Sequence, residues 1–217
     1  MTDPLTLHAP TTLLSALTTC ITKEIHPLSA TAVAKGSKLF GAAILLKSNL
    51  STVLASTNQE GTSPLWHGET WTITQFFEIP AHKRPDVKEC IFLTTHEPCS
   101  LCLSAILWAG FDNFVYMYTY EETQHIFECH GDLDIFNEVF NVREGEVARQ
   151  ASLDGKEKQV RPQYKLRSGR LVATSFAELL AAIEDKSVQE EYVGLVEGVK
   201  RSYGRLSEAY RRNMGVE

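Results

Sequence analysis

Along the first two thirds of the chain, the apolar positions switch repeatedly between helical and strand periods. Over residues 11–26, Leu13, Leu14, Leu17, Ile21 and Ile25 recur at three and four positions behind threonines suited to capping, which predicts a helix. Pro27 predicts that this helix ends at His26, because the residue before a proline is pushed out of the helical region. LFGAAILLK (39–47) and TVLAST (52–57) are short, apolar and separated by SNLS, the pattern of two antiparallel strands joined by a turn. Residues 58–64 read as loop, and Leu65 to Phe77 as helix. CIFLTT (90–95) predicts a buried strand, and Pro98 suits the first turn of a helix reaching Gly110. NFVYMYTY (113–120) predicts a further strand, with helix from about Glu121.

This order, β-β-α-β-α-β-α, implies a sheet with helices on its faces, the last two strands being parallel. After Asn141 the character changes. Residues 143–172 are polar and lack a period. Within GKEKQVRPQYKLRSGR (155–170), six basic residues (Lys156, Lys158, Arg161, Lys165, Arg167, Arg170) face one acid, Glu157. Ser175 to Glu178 matches a capping box ahead of Leu179, Leu180 and Ile183. A last helix then carries Val188, Tyr192, Leu195, Val199, Tyr203, Leu206 and Tyr210 at intervals of three and four. The expected organisation is a domain over 1–141 and a polar, basic and helical extension over 142–217 packed against it. The expected fold is a three-layer α/β/α sandwich with a mixed sheet and a C-terminal helical extension.

Composition narrows the classes. The 217 residues are 43% apolar and 22% charged, as in an ordinary globular protein. No run approaches the roughly 18 to 20 apolar residues of a membrane span, and MTDPLTLHAP lacks the basic and apolar regions of a secretory signal. With 21 basic and 27 acidic side chains the net charge is −6, which argues against a dedicated duplex-DNA binder. Five cysteines without an export signal point to a reducing, cytoplasmic setting in which thiols serve metals or cores.

Two segments carry candidate chemistry: LWHGET (65–70) and TTHEPCSLC (94–102). Alone, Cys99 and Cys102 could be a redox pair, half a zinc ribbon or chance. Together with His67, placed like them at the start of a predicted helix, they supply three ligands, the number used by a catalytic zinc. Cys99 and Cys102 at i and i+3 share a helix face, in a first turn whose N–H groups favour thiolates. His67 and Glu69 at i and i+2 point about 200° apart on a helix. They share a site only if it lies off the helix end, so two helix N-termini should converge on one metal, with Glu69 beside its water and not bonded to it.

HGE (67–69) and PCSLC (98–102) resemble the H-x-E and P-C-x-x-C signature of the zinc-dependent cytidine/cytosine/guanine/tRNA-adenosine deaminase superfamily. The resemblance spans roughly residues 35–130 and includes FGAAIL (40–45). Gly68 resembles fungal cytosine deaminases, whereas Glu97 resembles guanine and tRNA-adenosine deaminases. The resemblance implies a cytidine-deaminase-like fold and one Zn2+ per chain held by His67, Cys99 and Cys102. It implies Glu69 as the catalytic acid/base, Asn58 as a contact to base or ribose, and a homodimer or higher homo-oligomer. The implied activity is hydrolytic deamination of a small nucleobase or nucleoside with release of ammonia. Two alternatives are an RNA base deaminase using the 155–170 segment and an inactive zinc-binding protein of this fold.

Other residues read more plainly. Trp66 and Trp108 adjoin the motifs as either core or pocket wall, and Trp66 is a candidate for stacking on a base. Asn58 reads either as a turn residue or as the contact just named. His96 reads as an exposed loop histidine, and Cys20 and Cys90 as buried thiols. His125 and Cys129, with His130 adjacent, have a spacing that a second metal could use, without a fourth ligand. The basic run is either solvated loop or an RNA contact with Tyr164 interleaved, and the Val188–Tyr210 stripe packs on its own domain or on another subunit.

Overall fold

The structure is a computed structural model and describes residues 3–128, 131–139, 164 and 166–214. Among the described residues, five strands form one mixed sheet in the order β2-β1-β3-β4-β5: β1 (Gly41–Leu46), β2 (Thr52–Thr57), β3 (Cys90–His96), β4 (Asn113–Tyr118) and β5 (Val172–Ser175). β1 is antiparallel to both β2 and β3, whereas β3, β4 and β5 run parallel. The antiparallel pair and the parallel β3/β4 connection match the sequence pattern.

The period of two explains the layers. Ala42 and Ile44 of β1, Phe92 of β3 and Phe114 of β4 pack on one face with Phe76 of α4 (Gly68–Glu78) and Ile106 of α5 (Ser100–Trp108). The alternate residues, Ala43, Leu45, Ile91, Leu93, Val115 and Met117, point to the other face. There they meet α2 (Pro10–Cys20) and α3 (His26–Val33), which follow a short α1 (Pro4–Leu7). A sheet covered on both faces needs near-continuous apolar strands, and β3 and β4 are buried throughout.

The helix over 11–26 does not end at His26, as Pro27 had suggested. A π-helical turn over Ile21–Ile25 widens the backbone, and the His26 N–H reaches back to the Ile21 carbonyl. Pro27 then sits in the first turn of α3, where it neither clashes nor needs a donor, so the helix runs on to Val33. Two other expected starts also move. α4 begins at Gly68 rather than Leu65, and α5 begins at Ser100 with Pro98 outside it.

The stretch after α6 (Tyr120–Phe127) and α7 (Gly131–Asp134) holds an element the sequence pattern missed. β5 is only four residues long, too short for a period to declare itself, yet it is fully buried beside β4. Its outer edge is covered by Leu166 and Arg167, with Ala173 N–H donating to the Leu166 carbonyl at 2.7 Å. α8 (Phe176–Ala181) carries the expected capping box between Ser175 and Glu178. α9 (Lys186–Met214) lays Val196, Val199, Tyr203 and Leu206 into the core against α2 and α3, the intramolecular option for this stripe. Among the described residues no helix is long and apolar enough to cross a membrane.

Candidate metal centre

His67 and Cys99 occupy equivalent places: each is the N-cap of its helix, His67 for α4 and Cys99 for α5, with extended backbone. Their side chains therefore lie off the two helix ends. Cys102, in the first turn of α5, donates its N–H to Cys99 Sγ at 3.5 Å. The helix start thus organises both sulfurs at once, although Cys99 lies outside the helix rather than in its first turn.

His67 Nδ1 is 3.6 Å from Cys99 Sγ and 3.5 Å from Cys102 Sγ. Tetrahedral zinc, with bonds of about 2.3 Å to sulfur and 2.0–2.1 Å to nitrogen, requires a separation of about 3.6 Å between those donors. Two thiols and an imidazole in this arrangement fit zinc. Among the described residues they form the one such metal-binding group, their donor atoms lying within 4.8 Å of one another. His125 belongs to no such group, and Cys129 and His130 lie outside the described residues. The ligand electrostatics agree. Cys99 is pushed down, first by a hydrogen bond from Cys102, with burial opposing and His67 adding. Cys102 moves up, and His67 is raised chiefly by its contact with Cys99.

Gly68 lies between His67 and Glu69 for a steric reason. A Cβ there would stand 2.7 Å from the Gly41 Cα, so the start of α4 and the start of β1 touch backbone to backbone. Gly41 is equally confined, its own added Cβ meeting the Ser56 carbonyl at 2.6 Å. Asn58, buried at the end of β2, accepts the Gly68 N–H through Oδ1. His67 makes no side-chain cap of its own, so Asn58 satisfies a helix donor that would otherwise be orphaned.

Glu69 is fully buried. Its Oε1 lies 2.8 Å from Thr94 Oγ1 and 3.6 Å from His96 Nδ1, and its Oε2 lies 3.3 Å from Cys102 Sγ. Burial first, then the Cys99 charge, raise its carboxyl to about 7, against the hydrogen bond from Thr94. His96 is not the exposed loop residue its polar neighbours suggested. It ends β3, is 4% exposed and stacks on Phe40 with ring centroids 4.0 Å apart. Burial, with the His67 and Lys38 charges, lowers it to about 3, so the ring is neutral.

The structure brings His67, Glu69, Cys99, Cys102 and Asn58 together. Trp66 is half-buried and packs against Trp71, centroids 4.4 Å apart, while Trp108 is 91% exposed at the far end of α5, in neither core nor pocket. Cys20 and Cys90 are buried, as expected. Sequence spacing missed Thr94, His96 and Asp132. Asp132 is raised to about 6, by burial and then the Cys99 charge, with His67 and Lys38 opposing. A period-2 reading of β3 extended past Thr95 would have placed Thr94 and His96 on one side; nothing local marks Asp132.

Residues 18–118 match the cytidine and deoxycytidylate deaminase zinc-binding region. No curated protein matches the chain in sequence. Among solved structures it is similar to guanine deaminase from Nitrosomonas europaea, at 18% identity, covering 77% of this chain and 80% of that one with a TM-score of 0.45. It is also similar to guanine deaminase from Bacillus subtilis, at 20% identity over 67% of this chain and 94% of that one, TM-score 0.45. A third similarity is to a structure from work on A-to-I editing by tRNA:A34 deaminases, at 21% identity over 46% and 76%, TM-score 0.40.

Proposed function

We propose, from the match of residues 18–118 to the cytidine and deoxycytidylate deaminase zinc-binding region, that the chain is an aminohydrolase that deaminates a small nucleobase or nucleoside. The observation that carries this reading is Glu69. A structural zinc site has no use for a fully buried carboxylate 3.3 Å from one ligand sulfur and outside the donor set.

His67 Nδ1, Cys99 Sγ and Cys102 Sγ would hold the zinc, which when bound supplies Lewis-acid activation of water near neutral pH. Glu69 Oε2, the oxygen facing the ligands, takes the proton of the attacking water and passes it to the ring nitrogen of the amidine. Water oxygen bonds to the amidine carbon, the exocyclic C–N bond breaks, and ammonia leaves with a proton returned through Glu69. Asn58 Nδ2 orients the ring, and Trp66 walls the approach.

Two described residues of the basic run are engaged within the chain, while Arg170 is exposed. Arg167 pairs with Asp3 and Glu178, and Tyr164 points inward to Glu97. Lys156, Lys158, Arg161 and Lys165 lie outside the described residues. Exposed apolar side chains on the outer helical layer, Trp108, Leu107 and Leu101 on α5 and Phe77 on α4, support self-association as a homodimer or higher oligomer.

Ammonia release from cytosine, guanine, adenine, their nucleosides and monophosphates, and a tRNA tests the reading. Release from one small molecule supports it. Release from tRNA alone transfers it to the RNA deaminase, and silence on every substrate with zinc bound leaves the inactive binding protein.

A further inference from the structure

We propose that His96 is a positioning residue for Glu69, its ring N–H and the Thr94 hydroxyl together holding Oε1 so that Oε2 is turned to the ligand cluster. This rests on the aminohydrolase reading above.

Thr94 Oγ1 lies 2.8 Å from Glu69 Oε1 and 2.9 Å from the His96 carbonyl. A hydroxyl has one proton, so it cannot satisfy both acceptors fully. An ionised carboxylate oxygen accepts through two lone pairs, and Oε1 is buried where water does not reach it. His96 Nδ1 stands 3.6 Å from the same oxygen, is itself buried, and has no other hydrogen-bond partner. Two lone pairs facing each other at that distance in a buried site would repel. With the carboxylate ionised, as the proton-accepting role requires, the pair is favourable when Nδ1 carries the proton.

The ring is held for this task. Phe40 stacks on it at an interplanar angle of 22°, and Phe127 packs edge-on against Phe40 at 5.5 Å. The Phe40 carbonyl is tied down by Thr57 Oγ1 at 2.8 Å and by the Asn58 N–H at 3.2 Å. The residue that caps α4 therefore also fixes the wall behind His96. The two carboxylate oxygens of Glu69 are in this way given different work: Oε1 is the anchored one, and Oε2 is the working one beside Cys102. Because the neutral ring adds no net charge, it orients the carboxylate without pairing it as an ion.

The tautomer of His96 is a direct readout. In zinc-loaded protein labelled with 15N-histidine, with His96→Asn identifying the signals, long-range correlation should show Nδ1 protonated and Nε2 bare. In Glu69→Ala that preference should weaken or reverse. Nε2–H in the unaltered protein, or a tautomer population unchanged by Glu69→Ala, overturns the proposal. Once a substrate is in hand, His96→Leu should lower kcat about ten- to a hundredfold with KM and zinc content little changed. His96→Asn, whose Nδ2 takes the place of Nδ1, should recover most of the loss. Equal kcat in His96→Leu and the unaltered enzyme, or no recovery in His96→Asn, also overturns it. Absence of ammonia release by the unaltered enzyme would instead defeat the functional reading, and the tautomer would still decide the role of His96.

Discussion

Tyr164 donates its hydroxyl to Glu97 Oε1 at 2.8 Å, across 67 positions of sequence. The other oxygen of Glu97 accepts the Tyr120 N–H at 3.1 Å, and the Tyr120 hydroxyl donates to the Pro98 carbonyl. A residue from the basic segment therefore stabilises the turn that delivers Cys99. Removing the hydroxyl leaves a buried carboxylate short of a donor. Tyr164→Phe should lower unfolding free energy by about 1 to 3 kcal/mol in urea and weaken zinc retention against a chelator. An unchanged midpoint would return Tyr164 to the solvated-loop reading.

The contact of Gly68 with Gly41 makes a second expectation. Gly68→Ala places a methyl group 2.7 Å from the Gly41 Cα, with backbone on both sides and no flexible side chain to yield. The start of α4 must shift, carrying His67 and Glu69 with it. Destabilisation of about 1 to 3 kcal/mol and a reduced zinc-to-protein ratio are expected. A variant with full zinc and an unaltered denaturation midpoint would show that the helix start has room.

Lys47 and Asp112 form a buried ion pair at 3.0 Å between the end of β1 and the start of β4. Burial pushes the Asp112 carboxyl up, but hydrogen bonds from Asn113 and Lys47 and the charges of Lys47 and Lys88 outweigh it, and the net shift is downward. A carboxyl lowered in the folded state stabilises the protein above its unfolded value of about 3.9. That contribution is lost as pH falls through the folded value. Between pH 6 and 2, Asp112→Asn should lose stability with acid less steeply than the unaltered protein, and parallel curves would contradict this. Lys47→Met should cost about 3 to 5 kcal/mol, since it leaves a buried charge alone.

Trp108 supplies the test of self-association. A tryptophan 91% exposed at a helix end, with Leu107 beside it, is a natural centre for a subunit contact. Sedimentation velocity should show an oligomer for the unaltered chain and a smaller species for Trp108→Arg. A monomer in both would leave the apolar face without that role.

The features legible in the sequence were those with a strong local signal. Short apolar runs bounded by turn residues marked β1 to β4, and the placement of His67 off its helix end followed from the roughly 200° problem at His67 and Glu69. What failed did so for physical reasons. Pro27 stops a regular α-helix but not one relaxed by a π turn. β5 is four residues long and is defined by its neighbour β4 rather than by its own pattern. His96 looked exposed because its neighbours are polar, yet Thr95 is buried and bonded to the Gly41 backbone, and Glu97 is buried and bonded to Tyr164 and Tyr120. Tyr164 sits among charges in sequence and against Phe114 in space. Tertiary contacts of that kind leave no local signature.

The central claim is that Glu69 moves protons at a zinc centre it does not ligate. The direct measurement is ammonia release by the unaltered chain and by Glu69→Gln, each verified to carry one zinc. Release from a nucleobase or nucleoside by the first, loss of at least about a hundredfold in the second, and equal zinc in both are expected. Equal turnover in the two proteins, or loss of zinc with Glu69→Gln, would contradict it.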